Sequence, residues 1–124
     1  MSLPSARQDI CDTLTERLSG TTWYLKRPTV IKADTGWLVL TGVTSENSTY
    51  GELQVGFNAL LVLGSNAAAA ADHIDDLIMP FHEAFRGWAY GVTVVPAEVP
   101  VEDNVLYTLV ATFQMTVSTE VEAN

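Results

Sequence analysis

Carboxylates and histidines are the side chains here best equipped for chemistry, and they fall into two groups. His73, Asp75, Asp76, His82 and Glu83 gather metal-capable atoms within one short stretch. A metal-binding helix needs its ligands on one face, typically at i and i+4. His73 and Asp76 are three apart and share a face, but His82 lies nine residues beyond His73, about half a turn out of phase, with Pro80 between. That spacing reads as a solvated acidic face, and no metal is expected. The second group is Asp34, Thr35 and Gly36. Asp-Thr-Gly is the short signature of the acid proteases, in which two carboxylates share a proton. A chain this short would need a second copy to supply the second loop. Asp-Thr-Gly is also common turn chemistry, and the flanking Lys32 and Trp37 depart from the small, apolar neighbours of such a site.

Little else offers a reaction. The two histidines lack the context of a Ser-His-Asp or Cys-His set, and no Gly-rich phosphate loop is present. The lone Cys11 sits beside Ile10 on an apolar helix face and reads as a small core residue. No enzyme activity and no cofactor are expected. The aromatic residues Trp23, Tyr24, Trp37, Trp88 and Tyr90 read as core by default, with an interface role as the other option.

The elements that would hold these residues centre on one long amphipathic helix, from Asn66 to Gly87. Asn66 is a natural N-cap, and five alanines follow it. Ile74, Leu77, Ile78, Phe81 and Phe85 recur at spacings of three and four and so share one face. Asp72, Asp75, Asp76, Glu83 and Arg86 fall on or near the other side. Pro80 removes a backbone donor and is expected to kink or divide the helix near Met79.

A first helix begins at Ser2 or Leu3 and ends at Gly20, with Ile10, Cys11, Leu14 and Leu18 as its apolar stripe. Arg7, Asp9, Asp12, Glu16 and Arg17 then face solvent or a partner. Thr21–Leu25 begins a strand, which Pro28 breaks or confines to an edge. Val30–Lys32 and Trp37–Val43 flank Ala33–Gly36 and read as a hairpin. Thr44–Gly51 is a polar loop. Glu52–Leu63 is a long strand with Leu53, Val55, Phe57, Ala59, Leu61 and Leu63 on one face. Its later part is apolar on both faces, through Leu60 and Val62, and so is expected to be covered on its second side by a helix or by another subunit. Trp88–Val95 is another strand, and Pro96–Asn104 a stiff acidic connection. Val105–Ser118 is the last strand, and its Thr-rich outer side makes it a candidate for pairing across a subunit boundary.

The pattern predicts an α+β fold, a mostly antiparallel sheet with two helices packed on it, in a single domain over residues 1–118. Residues 119–124 form a short acidic tail expected to be disordered. The chain has 124 residues and is 48% hydrophobic, enough for one modest core. The net charge is -9, with only six basic residues, which argues against tight nucleic-acid binding. A single cysteine allows no intrachain disulfide and fits a reducing compartment. No apolar run is long enough to span a membrane, and Asp9 and Asp12 interrupt any secretory pattern, so the chain is expected in the cytoplasm or in something assembled there.

The chain resembles the tail terminators of tailed bacteriophages, also called tail completion or minor tail proteins. The resemblance is carried by the opening Leu3, Pro4, Ser5, Ala6 and Arg7 helix and by the Thr22, Trp23 and Tyr24 strand start. The long Gly51–Leu63 strand, the single helix after it and the long final strand complete it. It implies a small α+β structural protein of the virion, located in the tail and assembled in the host cytoplasm. Such subunits form a homohexameric ring that caps the tail tube, stops its polymerisation and offers the head-joining surface. The implied partners are other copies of itself, the tail tube protein and the head–tail connector protein, with DNA only as passing cargo and no membrane. The family has no catalytic residues to carry over. On this reading Lys26, Arg27, Lys32 and Arg86 are candidates for salt links to acidic neighbours, and Glu98, Glu102 and Asp103 for the opposing surface. The Thr44–Gly51 and Pro96–Asn104 loops would point along or into the ring. The alternatives are another head–tail connector or tail tube subunit and, in a different class, a small ligand-binding or enzymatic α+β domain, the dimeric protease included.

Overall fold

A computed structural model describes residues 3–44 and 52–118. In chain order it has helix α1 (Leu3–Arg17), strands β1 (Thr22–Tyr24), β2 (Thr35–Thr44) and β3 (Glu52–Gly64), helix α2 (Ala67–Glu83), and strands β4 (Tyr90–Val101) and β5 (Asn104–Ser118). The strands form one five-stranded sheet in the order β1-β2-β3-β5-β4. Only the β1–β2 pair is parallel. The fold is α+β, as predicted. Of the expected loop Thr44–Gly51, Thr44 instead ends β2 and the rest lies outside the described residues, as does the tail over 119–124.

Period-two alternation sets which side of the sheet is buried. On β3, Val55, Phe57, Ala59 and Leu61 face both helices, and on β5 Leu109, Ala111, Phe113, Met115 and Val117 do the same. From α1 come Ala6, Ile10, Cys11, Leu14 and Leu18, the predicted stripe with one residue added. From the α2 side come Ala70, Phe81, Ala84 and Phe85. Phe85 and Phe113 meet with ring centroids 4.6 Å apart, and Trp88 closes on both. Each such side chain contributes about 1.5–3 kcal/mol when fully buried, so this aromatic cluster fixes α2 to the sheet.

Asn66 caps α2 as expected: its side chain accepts from the N–H of Ala69 at 3.0 Å. The helix is not divided at Pro80. It runs unbroken to Glu83, and Ala84, not Gly87, is its C-cap. Pro80 and Met79 face solvent, where the carbonyl freed by the missing donor can reach water. Phe81 is fully buried in the next position and holds the last turn in place.

Three strand expectations are corrected. No hairpin joins Val30–Lys32 to β2. Residues 25–34 form a loop, and β2 begins within the Asp-Thr-Gly stretch, at Thr35. β1 lies parallel to β2, which a tight turn cannot achieve, so the chain needs this longer crossing. Asp34 makes the final bend at φ 62°, bonded from its N–H to Val62 O at 2.9 Å and from Thr22 N–H to its own carbonyl at 3.0 Å. Pro96–Asn104 is not a loop: β4 runs through both prolines to Val101, and only Glu102 and Asp103 turn the chain. Prolines are tolerated because β4 is an edge strand, where a missing donor can face outward. Finally, β5 cannot pair across a subunit boundary, because β3 and β4 already occupy its two sides. Among the described residues the free edges belong to β4, to the short β1 and to the part of β2 beyond β1.

Candidate subunit interface

Both helices pack on one side of the sheet, which leaves the other side open over most of its area. One end of that open side is covered. Trp37 and Val62 alternate away from the helices and yet are 2% and 0% exposed. The expected cover for the end of β3, a helix or another subunit, is corrected: the chain's own 25–34 loop lies there. From it the Arg27 guanidinium stands 5.9 Å from the centre of the Trp37 ring, a cation–π contact. Thr108, in the row of Val62, is fully buried and donates its hydroxyl to Ala97 O at 3.0 Å across to β4.

The candidate charges separate by sign. Lys26, Arg27 and Lys32 are exposed on the 25–34 loop, beside β1 at one edge of the sheet. Glu98 on β4 and Glu102 and Asp103 in the β4–β5 turn are exposed at the opposite edge. Both groups lie at the same end: Asp34 bonds to Val62, Val62 is in register with Thr108, and Thr108 with Ala97, next to Glu98. Arg86 does not join them. It sits past the end of α2 in an exposed ion pair with Glu83 at 3.3 Å, of the kind that contributes little.

The reactive readings find no support in the geometry. Gly36 is buried under the Trp23 indole, and the Asp34 side chain is exposed at the bend into β2. Among the described residues no three His, Cys, Asp or Glu side chains converge as a metal site. Burial pushes the Cys11 thiol up to about 11, helped by Asp12 and opposed by Arg7. A thiol with so little thiolate is a poor nucleophile. The concavities are open depressions. One of about 340 Å³ lies beside His82, Arg86 and Tyr90, and one of about 220 Å³ lies over Gly42 and Gly56 between Gln54 and Gln114. No described helix is long and apolar enough to cross a membrane.

Sequence reasoning found the charged residues but missed how they are arranged. It also missed the exposed apolar edges, Val39 and Val43 on β2 and Val95 on β4, where Tyr90 alone had an interface role as an option. Their signal was an uncharged run without proline in a strand, which also describes a core strand. No known protein family and no curated protein matches the chain in sequence.

Proposed function

We propose that this chain is a structural subunit of a phage tail. Its copies close into a six-fold ring that caps the tail tube, ends its polymerisation and presents the surface that joins the head connector. The observation that carries this reading is the separation of Lys26, Arg27 and Lys32 from Glu98, Glu102 and Asp103, at one end of the sheet but on opposite edges. A two-fold contact sets the same patch against itself, so either group would meet like charge. A head-to-tail contact sets one group against the other, and repeated head-to-tail contacts with a closing rotation make a ring. The acidic balance, 15 acids against six bases, suits a wall past which DNA slides without sticking.

The test is native mass with negative-stain imaging over a concentration series. Closed six-fold rings are expected. Long open tubes would shift the assignment to a tube subunit. A protein that stops at a dimer, or stays monomeric at the highest concentration it tolerates, would overturn the ring.

A further inference from the structure

We infer that the sheet of one copy continues into the sheet of the next, through antiparallel pairing of the free edge of β4 (Tyr90–Val95) with the free edge of β2 (Val39–Val43). This rests on the ring reading and specifies the contact that closes it.

Strand direction is the first support. β2, β3, β5 and β4 alternate without exception. A neighbour in the same orientation therefore offers its β2 to β4 in the antiparallel sense, and the alternation runs on across the boundary. Height is the second. Val39 is in register with Asn58, Asn58 with Thr112, and Thr112 with Thr93, so the two edges lie level on the sheet. Each edge carries a register shift, at Leu40/Gly42 on β2 and at Tyr90/Thr93 on β4. Both shifts fall between the row of Val39 and the row of Gly42, so the edges bend at the same place.

Composition is the third. β1 shields β2 only as far as Trp37, and beyond it, among the described residues, no strand pairs with the side of β2 that faces away from β3. Isolated proteins blunt such edges with charge or proline. The stretches 39–43 and 90–95 have neither, whereas the other half of β4 has Pro96, Glu98 and Pro100. Four of the nine large apolar side chains exposed among the described residues lie on these two edges: Val39, Val43, Tyr90 and Val95. At the charged end β1 holds neighbouring sheets one strand spacing further apart, about 4.8 Å. There the long side chains of Lys26, Arg27 and Lys32 span to the acids, and no backbone pairing is needed.

The test is Val94→Pro. Position 94 has the parity of Pro96 and Pro100, so the lost donor is one that faces outward. The variant is expected to keep the wild-type circular dichroism, with a small loss in melting from the trimmed contact of residue 94 with the core, while its rings weaken roughly tenfold or more in dissociation constant. Val39→Cys with Thr93→Cys, in a Cys11→Ser background, is expected to give an oxidised ladder ending at the ring. Rings undiminished in a folded Val94→Pro protein would overturn the edge pairing and leave the ring reading standing. If Val94→Pro fails to fold, the cysteine pair decides, and rings that do not cross-link overturn the pairing. A wild-type chain that never forms rings overturns both.

Discussion

Trp23 lies so close over Gly36 that a Cβ added at residue 36 would stand 2.4 Å from the indole ring and 2.6 Å from Leu60 O. The two residues are paired in the parallel β1–β2 ladder, and the indole stacks onward against Phe81 of α2 at 5.8 Å. Gly36 is what lets β1, the core and α2 meet. Gly36→Ala is expected to cost about 2–3 kcal/mol, the upper range of overpacking, because one obstacle is backbone. Denaturant melts would measure this, and a cost under about 0.5 kcal/mol would show that the indole simply moves aside.

Asp34 holds a left-handed backbone, φ 62°, at the entry to β2. Asn and Gly accept that conformation, and β-branched residues do not. Asp34→Asn and Asp34→Gly are expected to melt like the parent, and Asp34→Val to lose about 1–2 kcal/mol. Asp34→Asn is also expected to leave any proteolysis by the preparation unchanged. Loss of a cleavage activity in that variant would revive the carboxylate as a catalyst.

Arg17 ends α1 and caps the far end of α2, donating from Nη1 to Ala84 O at 3.1 Å and to Arg86 O at 2.7 Å. The carbonyls after a helix end are short of donors, and a cation there also suits the dipole. Arg17→Ala is expected to cost about 1–2 kcal/mol. A lysine should recover only part of it, lacking the fork. Amide exchange is expected to quicken most over residues 80–88. A uniform change across the chain would mean that the two helices are not joined through this side chain.

The alternation of β3 and β5 and the stripe of α1 were legible because burial on one face writes its period into the sequence. The errors came where one residue served two purposes. Pro96 and Pro100 read as a connection, because proline cannot donate to a ladder, yet on an edge strand no donor is missed. Asp34, Thr35 and Gly36 read as a hairpin turn, but the glycine was needed for the space under Trp23. Nothing local in a sequence tells these cases apart. The charges of the candidate interface were visible singly, while their placement on opposite edges depends on strand order, which no periodicity encodes.

Burial raises the Cys11 thiol from its ordinary value of 9.0 to about 11. Below pH 9 the thiol is protonated both folded and unfolded, and its contribution to stability is whole. As pH climbs from 9 toward 11 the unfolded chain sheds its proton first, so stability is lost over that interval. The alkaline arm of the stability profile is expected to flatten in Cys11→Ala between these limits, and a thiol reagent at pH 8 should label the native protein no faster than it unfolds. Rapid labelling without unfolding would show that the thiol is not sequestered.

Reversing Lys26 and Arg27 to glutamate is expected to weaken assembly, since each new carboxylate would face Glu98, Glu102 and Asp103 of the next copy. Arg27 also lies over Trp37, so its loss alone could act by uncovering the ring. Lys26→Glu with Lys32→Glu avoids that ambiguity, because it leaves Arg27 in place over the indole. Added salt should weaken the parent rings, as it does exposed opposite charges, and favour what assembly the double variant keeps, because there it screens repulsion. The decisive step is to restore the sign from the other side, with Glu98→Lys and Glu102→Lys. Mixed with the Lys26→Glu, Lys32→Glu chain, the second variant meets opposite charge at every boundary of an alternating ring, so the mixture should assemble where neither variant alone does. Combined in one chain, the four changes reverse every boundary and should recover assembly. Native mass after each step reads the result. Assembly undisturbed by the first reversal, or unrecovered in the four-fold variant despite wild-type melting, would clear these residues of the contact and leave the backbone edges to hold the copies together.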